Sequence, residues 1–254
     1  MRVLVCVKRV PAPGARINIS ADGQAVDTAF LGFTMSPHEE CAVEEAVRIV
    51  EQHGGSSTAL TLGPAVAEEQ LRYAASLGVN AAVLIPIDEP DWDPQRTARA
   101  ITSSIRQLED ADGPFDVILF GNESADAGGF QVGVRVAVAL DRPMVNGAKG
   151  LELVEGVARV RRESDAGVEI YELPLPAVVG VKEGINLPRY PTLKGRLASK
   201  KVPVVQQESD AAPGGQVLLR LLPPPEQVST TVMLGNGVDA VPAVVDLLEE
   251  IGVL

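Results

Sequence analysis

The order of apolar and polar residues along the chain predicts an α/β fold. Short runs rich in Val, Leu and Ile that end at glycine or proline are typical of buried parallel strands. Strands of this kind are predicted at 2–10, 58–62, 81–87 and 115–121. Amphipathic stretches predict helices at 37–50, 65–76, 94–108 and 134–140. This alternation indicates a mostly parallel sheet flanked by helices.

A capping pattern marks the start of the first long helix. Ser36 is a predicted N-cap, Pro37 suits the first helical position, and Glu39 stands where the reciprocal partner of a capping box belongs. The first turn of this helix is a candidate phosphate contact, because its backbone N–H groups are free to face an anion. Just before it, residues 17–27 contain the turn pair Asp22-Gly23 and predict a small hairpin.

The pattern changes after Gly150, where short segments are separated by turn residues. An antiparallel meander is predicted, with strands at 151–154, 157–162, 168–173 and 176–181. Beyond Lys182 prolines are frequent and apolar runs are short, and a last helix is predicted at 241–251. We therefore predict an α/β domain at 1–181 and an extended C-terminal arm at 182–254 that contacts a partner subunit. A disordered linker is the alternative for the arm.

Composition and charge exclude several classes of function. The 254 residues are 46% hydrophobic and carry a formal net charge of -12, which argues against binding nucleic acid or an anionic membrane surface. No apolar stretch is long enough to predict membrane insertion. Two cysteines and two histidines form no disulfide framework and no metal-ligand pattern. We predict a reduced, metal-free, cytoplasmic protein.

The stretch 115–133, FDVILFGNESADAGGFQVG, is the strongest candidate for a binding site. A buried strand stops at Gly121 and gives way to a polar loop, and open α/β sheets bind ligands beyond the carboxyl ends of such strands. Gly128 and Gly129 allow close approach of the backbone, and the helix that follows would direct N–H groups at a phosphate. The loop itself contains no lysine, which favours a monophosphate. A flexible connection is the alternative reading.

Known catalytic motifs are absent from the sequence. The dinucleotide fingerprint, the NTPase P-loop, the nucleophile elbow and a Cys/His pair are all missing. Asp126 could act as a general base, but a loop carboxylate more often accepts hydrogen bonds from a ribose or the backbone. We therefore predict no catalytic residues and a binding role.

Several motifs together resemble the β subunit of electron-transferring flavoproteins. They are VCVKRVPAP, TMSPHEECAVEEAVRI, TLGPA, GNESADAGGFQVG and RRESDAGVEIYELPLPAVVGVKEGINLPRYPTLKGRLASKK. The resemblance implies an adenine-nucleotide-binding, Rossmann-like domain at 1–181. It also implies a heterodimer with an α subunit, one FAD held mainly by that subunit, and a buried AMP. The AMP contacts would be Cys6, Ser36, Pro37, His38, Glu39, Leu62, Gly121, Asn122, Glu123, Ser124, Ala125, Asp126, Ala127, Gly128, Gly129, Phe130, Gln131 and Val132.

The resemblance also implies an electron carrier that accepts electrons from acyl-CoA or other flavin dehydrogenases and passes them to a quinone reductase, as in fatty acid oxidation. Its recognition loop would be 184–188, where Ile185 and Leu187 are apolar residues in a loop that would normally be polar. Ile185 is the predicted anchor on the dehydrogenase, with Leu187 beside it. Two alternatives stay open: a bifurcating β subunit with a second FAD that oxidises NADH, and a free-standing adenine-nucleotide-binding protein.

Overall fold

The computed structural model describes residues 1–88, 92–225 and 231–254. Residues 226–230, a piece of the predicted arm, lie outside the described residues. The chain divides into two compact units, Met1–Leu221 and Leu222–Leu254. Each unit is described by itself.

The first unit contains the strands and five of the helices. The strands are β1 (Arg2–Cys6), β2 (Val10–Pro11), β3 (Asn18–Ile19), β4 (Val26–Asp27), β5 (Phe33–Thr34), β6 (Ser56–Gly63), β7 (Ala81–Pro86), β8 (Val117–Gly121), β9 (Met144–Val154), β10 (Val157–Ser164), β11 (Gly167–Pro174), β12 (Ala177–Val181) and β13 (Val204–Gln206). The helices are α1 (Pro37–His53), α2 (Glu68–Leu77), α3 (Pro94–Asp112), α4 (Val132–Ala139) and α5 (Leu193–Ser199). The predicted hairpin is confirmed, because β3 pairs with β4.

A nine-stranded sheet runs through this unit in the order β11-β10-β9-β12-β8-β1-β6-β7-β13. Seven neighbouring strands, β9-β12-β8-β1-β6-β7-β13, pair in parallel. Strands β10 and β11 pair antiparallel and extend the sheet beyond β9. This confirms the predicted α/β class. The chain builds the sheet outward from β1 to β6 and β7, then returns to place β8 on the other side of β1. The crevice between the carboxyl ends of β1 and β8 is therefore a topological switch point, where such sheets bind ligands.

The prediction that 176–181 belongs to the antiparallel meander is wrong. These residues form β12, which lies between β8 and β9 and is parallel to both. All five residues of β12, AVVGV, are buried. A continuous apolar run is typical of a central parallel strand covered on both faces, whereas a meander strand alternates apolar and polar residues. The meander is confirmed for β9, β10 and β11.

Helices cover both faces of the sheet and create two core clusters. Alternating residues of β1 point to opposite faces, so that Val3 and Val5 join the cluster under α1 and α2, and Leu4 joins the cluster under α3 and α4. The capping box at the start of α1 is confirmed, because Ser36 Oγ accepts from Glu39 N and Glu39 Oε2 accepts from Ser36 N. This local signal fixes where α1 begins, at the edge of the sheet.

The first unit continues beyond residue 181, to Leu221. Strand β13 pairs with β7, and Arg72 donates to the carbonyl oxygens of Ser199 and Val202. The backbone N–H of Leu221 donates to the Gly23 carbonyl of the β3–β4 hairpin. Residues 182–221 are thus attached to the sheet and to the hairpin, while the predicted role of 182–254 in binding a partner subunit stays a prediction.

The second unit contains α6 (Val241–Glu250), which follows a short 3-10 turn at Gly237–Ala240. Apolar side chains of this unit are exposed, among them Val238, Val241 and Ile251. In the ranges that the structure describes, no helix combines the length and the hydropathy needed to cross a bilayer.

Candidate functional site

The carboxyl edge of the sheet brings together residues from three strands and the start of α1. Cys6 ends β1, Leu62 lies near the end of β6, and Gly121 ends β8. A Cβ atom on Gly121 would lie 2.7 Å from Glu39 Cγ. Glycine at this position therefore allows the close approach of α1 to β8. The predicted residues at the ends of β1 and β8 and at the start of α1 therefore lie together at one edge of the sheet.

The buried Glu39 carboxylate connects the loop after β1 with the start of α1. Its Oε1 accepts from the backbone N–H of Lys8 at 2.9 Å, and its Oε2 accepts from Ser36 N at 3.0 Å. Burial raises the pKa of Glu39 to about 8, although the donated N–H groups favour the charged form. Burial, and then the nearby Glu39 carboxyl, also raise the pKa of the Cys6 thiol. Cys6 is buried in the apolar cluster under α3 and α4.

The start of α1 also holds the β8–α4 loop, which is residues 122–131. Ser36 Oγ donates to the Glu123 carbonyl oxygen at 3.4 Å, and His38 Nε2 lies 3.3 Å from Glu123 Oε1. The backbone N–H of Asn122 donates to the Val181 carbonyl, which extends the pairing of β8 with β12 by one residue. The loop is thus anchored at its first two residues.

Lys8 is a site residue that the sequence analysis missed. Its Nζ lies 2.6 Å from Asp126 Oδ2, so the site does contain a lysine, contrary to what the loop sequence alone indicated. Burial favours the neutral form of Asp126, but the charge and hydrogen bond of Lys8, together with hydrogen bonds from Ser124 and the Ala127 N–H, lower the Asp126 pKa below its usual range. The signal that could have identified Lys8 is its place just after β1, at the same edge as the loop after β8.

The far half of the β8–α4 loop has room for a ligand. Gly128 adopts a φ of +53°, and its N–H donates to the Ser124 carbonyl. A Cβ atom on Gly129 would meet no heavy atom within 4 Å, so the backbone there faces open space. Phe130 is half exposed, and Gln131 Oε1 accepts from Arg135 of α4.

Together these groups offer a carboxylate, an ammonium and backbone N–H groups to a polar ligand. The Asp126 carboxylate can accept from ribose hydroxyls, and backbone N–H groups with the Lys8 ammonium can donate to a phosphate. Leu62 lies one strand further, among apolar side chains of the α3/α4 face, where it would contact a ligand by packing. In the described part of the chain, His, Cys, Asp and Glu side chains form no group of three or more that could hold a metal ion.

Two cavities lie away from this edge. One of about 670 Å³ lies between α3 and α4, and one of about 270 Å³ lies beside the β3–β4 hairpin. Neither is lined by a predicted site residue. Charged and hydrogen-bonding groups from three chain segments converge instead at the carboxyl edge.

The β12–α5 segment, residues 182–192, carries the predicted docking residues. Ile185 is half buried and packs against the core cluster under α1, whereas 91% of Leu187 is exposed. Beyond it, Tyr190 is 90% and Leu193, the first residue of α5, is 77% exposed. The exposed apolar surface therefore extends from Leu187 towards α5, and the predicted anchor Ile185 contributes less to it than Leu187 does.

Polar side chains fix this segment along α1. Asn186 Nδ2 donates to the Cys41 carbonyl and to Glu45 Oε2. The Arg189 guanidinium binds both oxygens of Glu44 and both of Glu51, and these bonds raise the pKa of Arg189. Burial raises the pKa of Glu45. The apolar residues of the segment are thus presented from a backbone held to a helix rather than from a free loop.

Comparison with known proteins gives a consistent family. The sequence profile of the family "Electron transfer flavoprotein domain" matches residues 26–212. The electron transfer flavoprotein subunit beta of Bacillus subtilis is 35% identical over 201 residues, which are 76% of this chain and 77% of that protein. The subunit of the same name from Syntrophomonas wolfei is 32% identical over 230 residues, 90% of this chain and 88% of that protein. The one from Mycobacterium bovis is 30% identical over 251 residues, 92% and 93% of the two chains.

These matches confirm the resemblance found in the motifs. Proteins of this family are electron carriers that work with a flavin and are not themselves enzymes. A β subunit implies an α subunit as its partner. The chain belongs to the electron transfer flavoprotein family, as a β subunit.

Proposed function

We propose that this β subunit binds AMP at the carboxyl edge and supports an FAD held mainly by the α subunit. In this role the heterodimer accepts electrons from acyl-CoA or other flavin dehydrogenases and delivers them to a quinone reductase. The observation that carries the nucleotide proposal is the convergence of Lys8, the start of α1 and the β8–α4 loop at the switch point of the sheet. The cytoplasmic location and the role in fatty acid oxidation stay predictions.

The proposed AMP site assigns a role to each group. Asp126 would accept from the ribose, the backbone at Gly128 and Gly129 would approach the nucleotide closely, and Lys8 would balance the phosphate charge. Glu39 does not face the ligand in this scheme, because both of its oxygens already accept backbone N–H groups. It holds the loop after β1 against the start of α1.

The proposed docking surface for the dehydrogenase consists of Leu187, Tyr190, Leu193 and Leu197. Ile185 is half buried against the core cluster under α1 and contributes its exposed part. Arg189 and Asn186 hold the backbone that carries these exposed apolar side chains. This suits a small transient interface, because the segment loses little conformational entropy when a partner binds. Lys194 in α5 and Lys200 at its C-cap are positively charged, although the whole chain has a formal net charge of -12. They favour acidic residues at the rim of the partner's surface.

The α subunit is the proposed partner of the remaining apolar surface. In the first unit, Val217 and Leu219 are more than four-fifths exposed, and in the second unit the apolar side chains of α6 lack a buried environment. Exposed apolar side chains in each unit are what an obligate partner would cover.

Release of the bound cofactors from the purified heterodimer tests the proposal. Denaturation followed by chromatography should yield one FAD and one AMP per heterodimer. Two FAD and no AMP would support the bifurcating alternative instead, with NADH oxidation as its activity. A stable monomer that holds ATP would support a free-standing nucleotide-binding protein.

A further inference from the structure

Helix α1 connects the proposed AMP site with the proposed docking surface. Its first turn holds the β8–α4 loop, and its later turns hold the β12–α5 segment through Glu44 and Glu45. His38 lies where the two attachments meet. Its side chain is 16% exposed, and its two ring nitrogens contact different segments.

The two contacts fix the state of the imidazole. The Glu183 N–H donates to His38 Nδ1 at 2.8 Å, so Nδ1 must be unprotonated. The neutral ring therefore carries its proton on Nε2, which faces Glu123 Oε1 at 3.3 Å. Glu183 is also held from its other side, because its carbonyl oxygen accepts from Lys149 Nζ at 2.5 Å. The imidazole thus connects the β8–α4 loop, at Glu123, with the start of the β12–α5 segment, at Glu183.

We propose that His38 is a positioning residue that couples AMP binding in the β8–α4 loop to the order of the β12–α5 segment. This inference rests on the proposed function. The Glu123 backbone is held by Ser36, but its carboxylate reaches the glycine turn, where Oε2 lies 3.8 Å from the place of a Cβ on Gly128. A nucleotide held at Gly128 and Gly129 would therefore restrict the Glu123 side chain, which keeps the imidazole aligned, and the aligned Nδ1 accepts the Glu183 N–H. By linkage, a dehydrogenase that binds the ordered segment strengthens AMP binding by the same factor.

Two substitutions separate the contacts. His38→Asn keeps a hydrogen-bonding atom near the place of Nδ1 and removes Nε2, and His38→Gln keeps a nitrogen near the place of Nε2 and removes Nδ1. The matched control is His53→Gln, at the exposed last residue of the same helix. The readout is amide hydrogen exchange of the peptide 180–190 in the heterodimer, which retains the Glu183 amide, with and without added AMP.

In the wild type and in His53→Gln, AMP should slow exchange of this peptide about fivefold or more. In both His38 variants AMP should have no effect on it, at AMP concentrations that calorimetry shows to saturate the variant heterodimer. Without AMP, His38→Asn should keep the Glu183 amide protected and His38→Gln should not. An equal effect of AMP in the His38 variants and the wild type, or no effect in the wild type, overturns the coupling.

Calorimetric titration of AMP into the AMP-depleted heterodimer distinguishes a failure of the coupling from a failure of the proposed nucleotide site. A wild-type heterodimer that binds AMP with unchanged exchange refutes the coupling alone. A heterodimer that binds no AMP refutes the proposed nucleotide site, and with it the coupling.

Discussion

Lys8 Nζ lies 2.6 Å from Asp126 Oδ2 and so joins the loop after β1 to the loop after β8. The two residues are 118 positions apart in the chain. The pair links the two sides of the crevice at the switch point of the sheet, and it contributes to the lowered pKa of Asp126. It therefore keeps an ionised carboxylate available at the proposed ribose position.

Lys8→Met should lower the AMP content of the purified heterodimer. The substitution removes the cation that balances both Asp126 and a bound phosphate, and one charge-assisted hydrogen bond is worth about 1.5–3 kcal/mol, or roughly tenfold or more in affinity. AMP is measured by chromatography after denaturation. The control is Lys201→Met, which makes the same charge change at an exposed site. Full AMP content in Lys8→Met would remove Lys8 from the site.

Gly129→Ala should reduce AMP binding without reducing stability. A Cβ atom at this position meets no protein atom within 4 Å, so it fits the chain but would enter the space proposed for the nucleotide. Gly128→Val should also reduce AMP content, but it adds strain because Gly128 has a φ of +53°. The measurement pairs the AMP dissociation constant with the melting temperature. Unchanged affinity in Gly129→Ala would count against a close backbone approach.

Glu39→Gln should flatten the pH dependence of stability. Burial raises the folded-state pKa of Glu39 to about 8, so the folded chain binds one more proton than the unfolded chain between about pH 4.3 and 8. The contribution of Glu39 to the free energy of unfolding is therefore greatest below that window. It falls as pH rises through the window, by up to about 1.4 kcal/mol per pH unit. Denaturant unfolding between pH 5 and 9 measures the slope, with the exposed Glu152→Gln as control. Identical slopes in wild type and Glu39→Gln would contradict the assignment.

Leu187→Ala and Leu193→Ala should each slow electron acceptance from the dehydrogenase at low concentration, about tenfold or more. An aliphatic anchor buried at a small interface contributes about 1.5–3 kcal/mol. Ile185→Ala should instead lower the free energy of unfolding by about 2 kcal/mol, because Ile185 packs against the core cluster under α1. Transfer kinetics and unfolding are measured for all three variants. If Ile185→Ala alone slows transfer, Ile185 is the anchor as the sequence predicted.

A chain that ends at Leu221 should fold but fail to form a stable heterodimer. It keeps the first compact unit intact and removes the second, whose apolar side chains are the proposed contacts with the α subunit. Co-expression with the α subunit and size-exclusion chromatography measure assembly. A chain that ends at Ile251 retains α6 and serves as control. Normal assembly of the shorter chain would rule out the second unit as a necessary interface.

Local patterns in the sequence were enough to predict most of the secondary structure and the family. Short apolar runs identified the parallel strands, because a strand buried on both faces needs only apolar residues. The Ser36 and Glu39 pattern located the start of α1, because a capping box involves residues three apart in the chain. The motifs around Gly121 and Arg189 carried the resemblance to the family, and the comparisons confirmed it.

Only the tertiary structure decided which distant residues meet. The sequence placed 176–181 in the meander because these residues follow it along the chain, but the fold inserts β12 beside β8, where both of its faces are covered. The fold also brings Lys8 to Asp126 and leaves Ile185 half buried while Leu187 is exposed. Pairing across a sheet and burial within a loop depend on chain segments far apart in sequence, and no local periodicity records them.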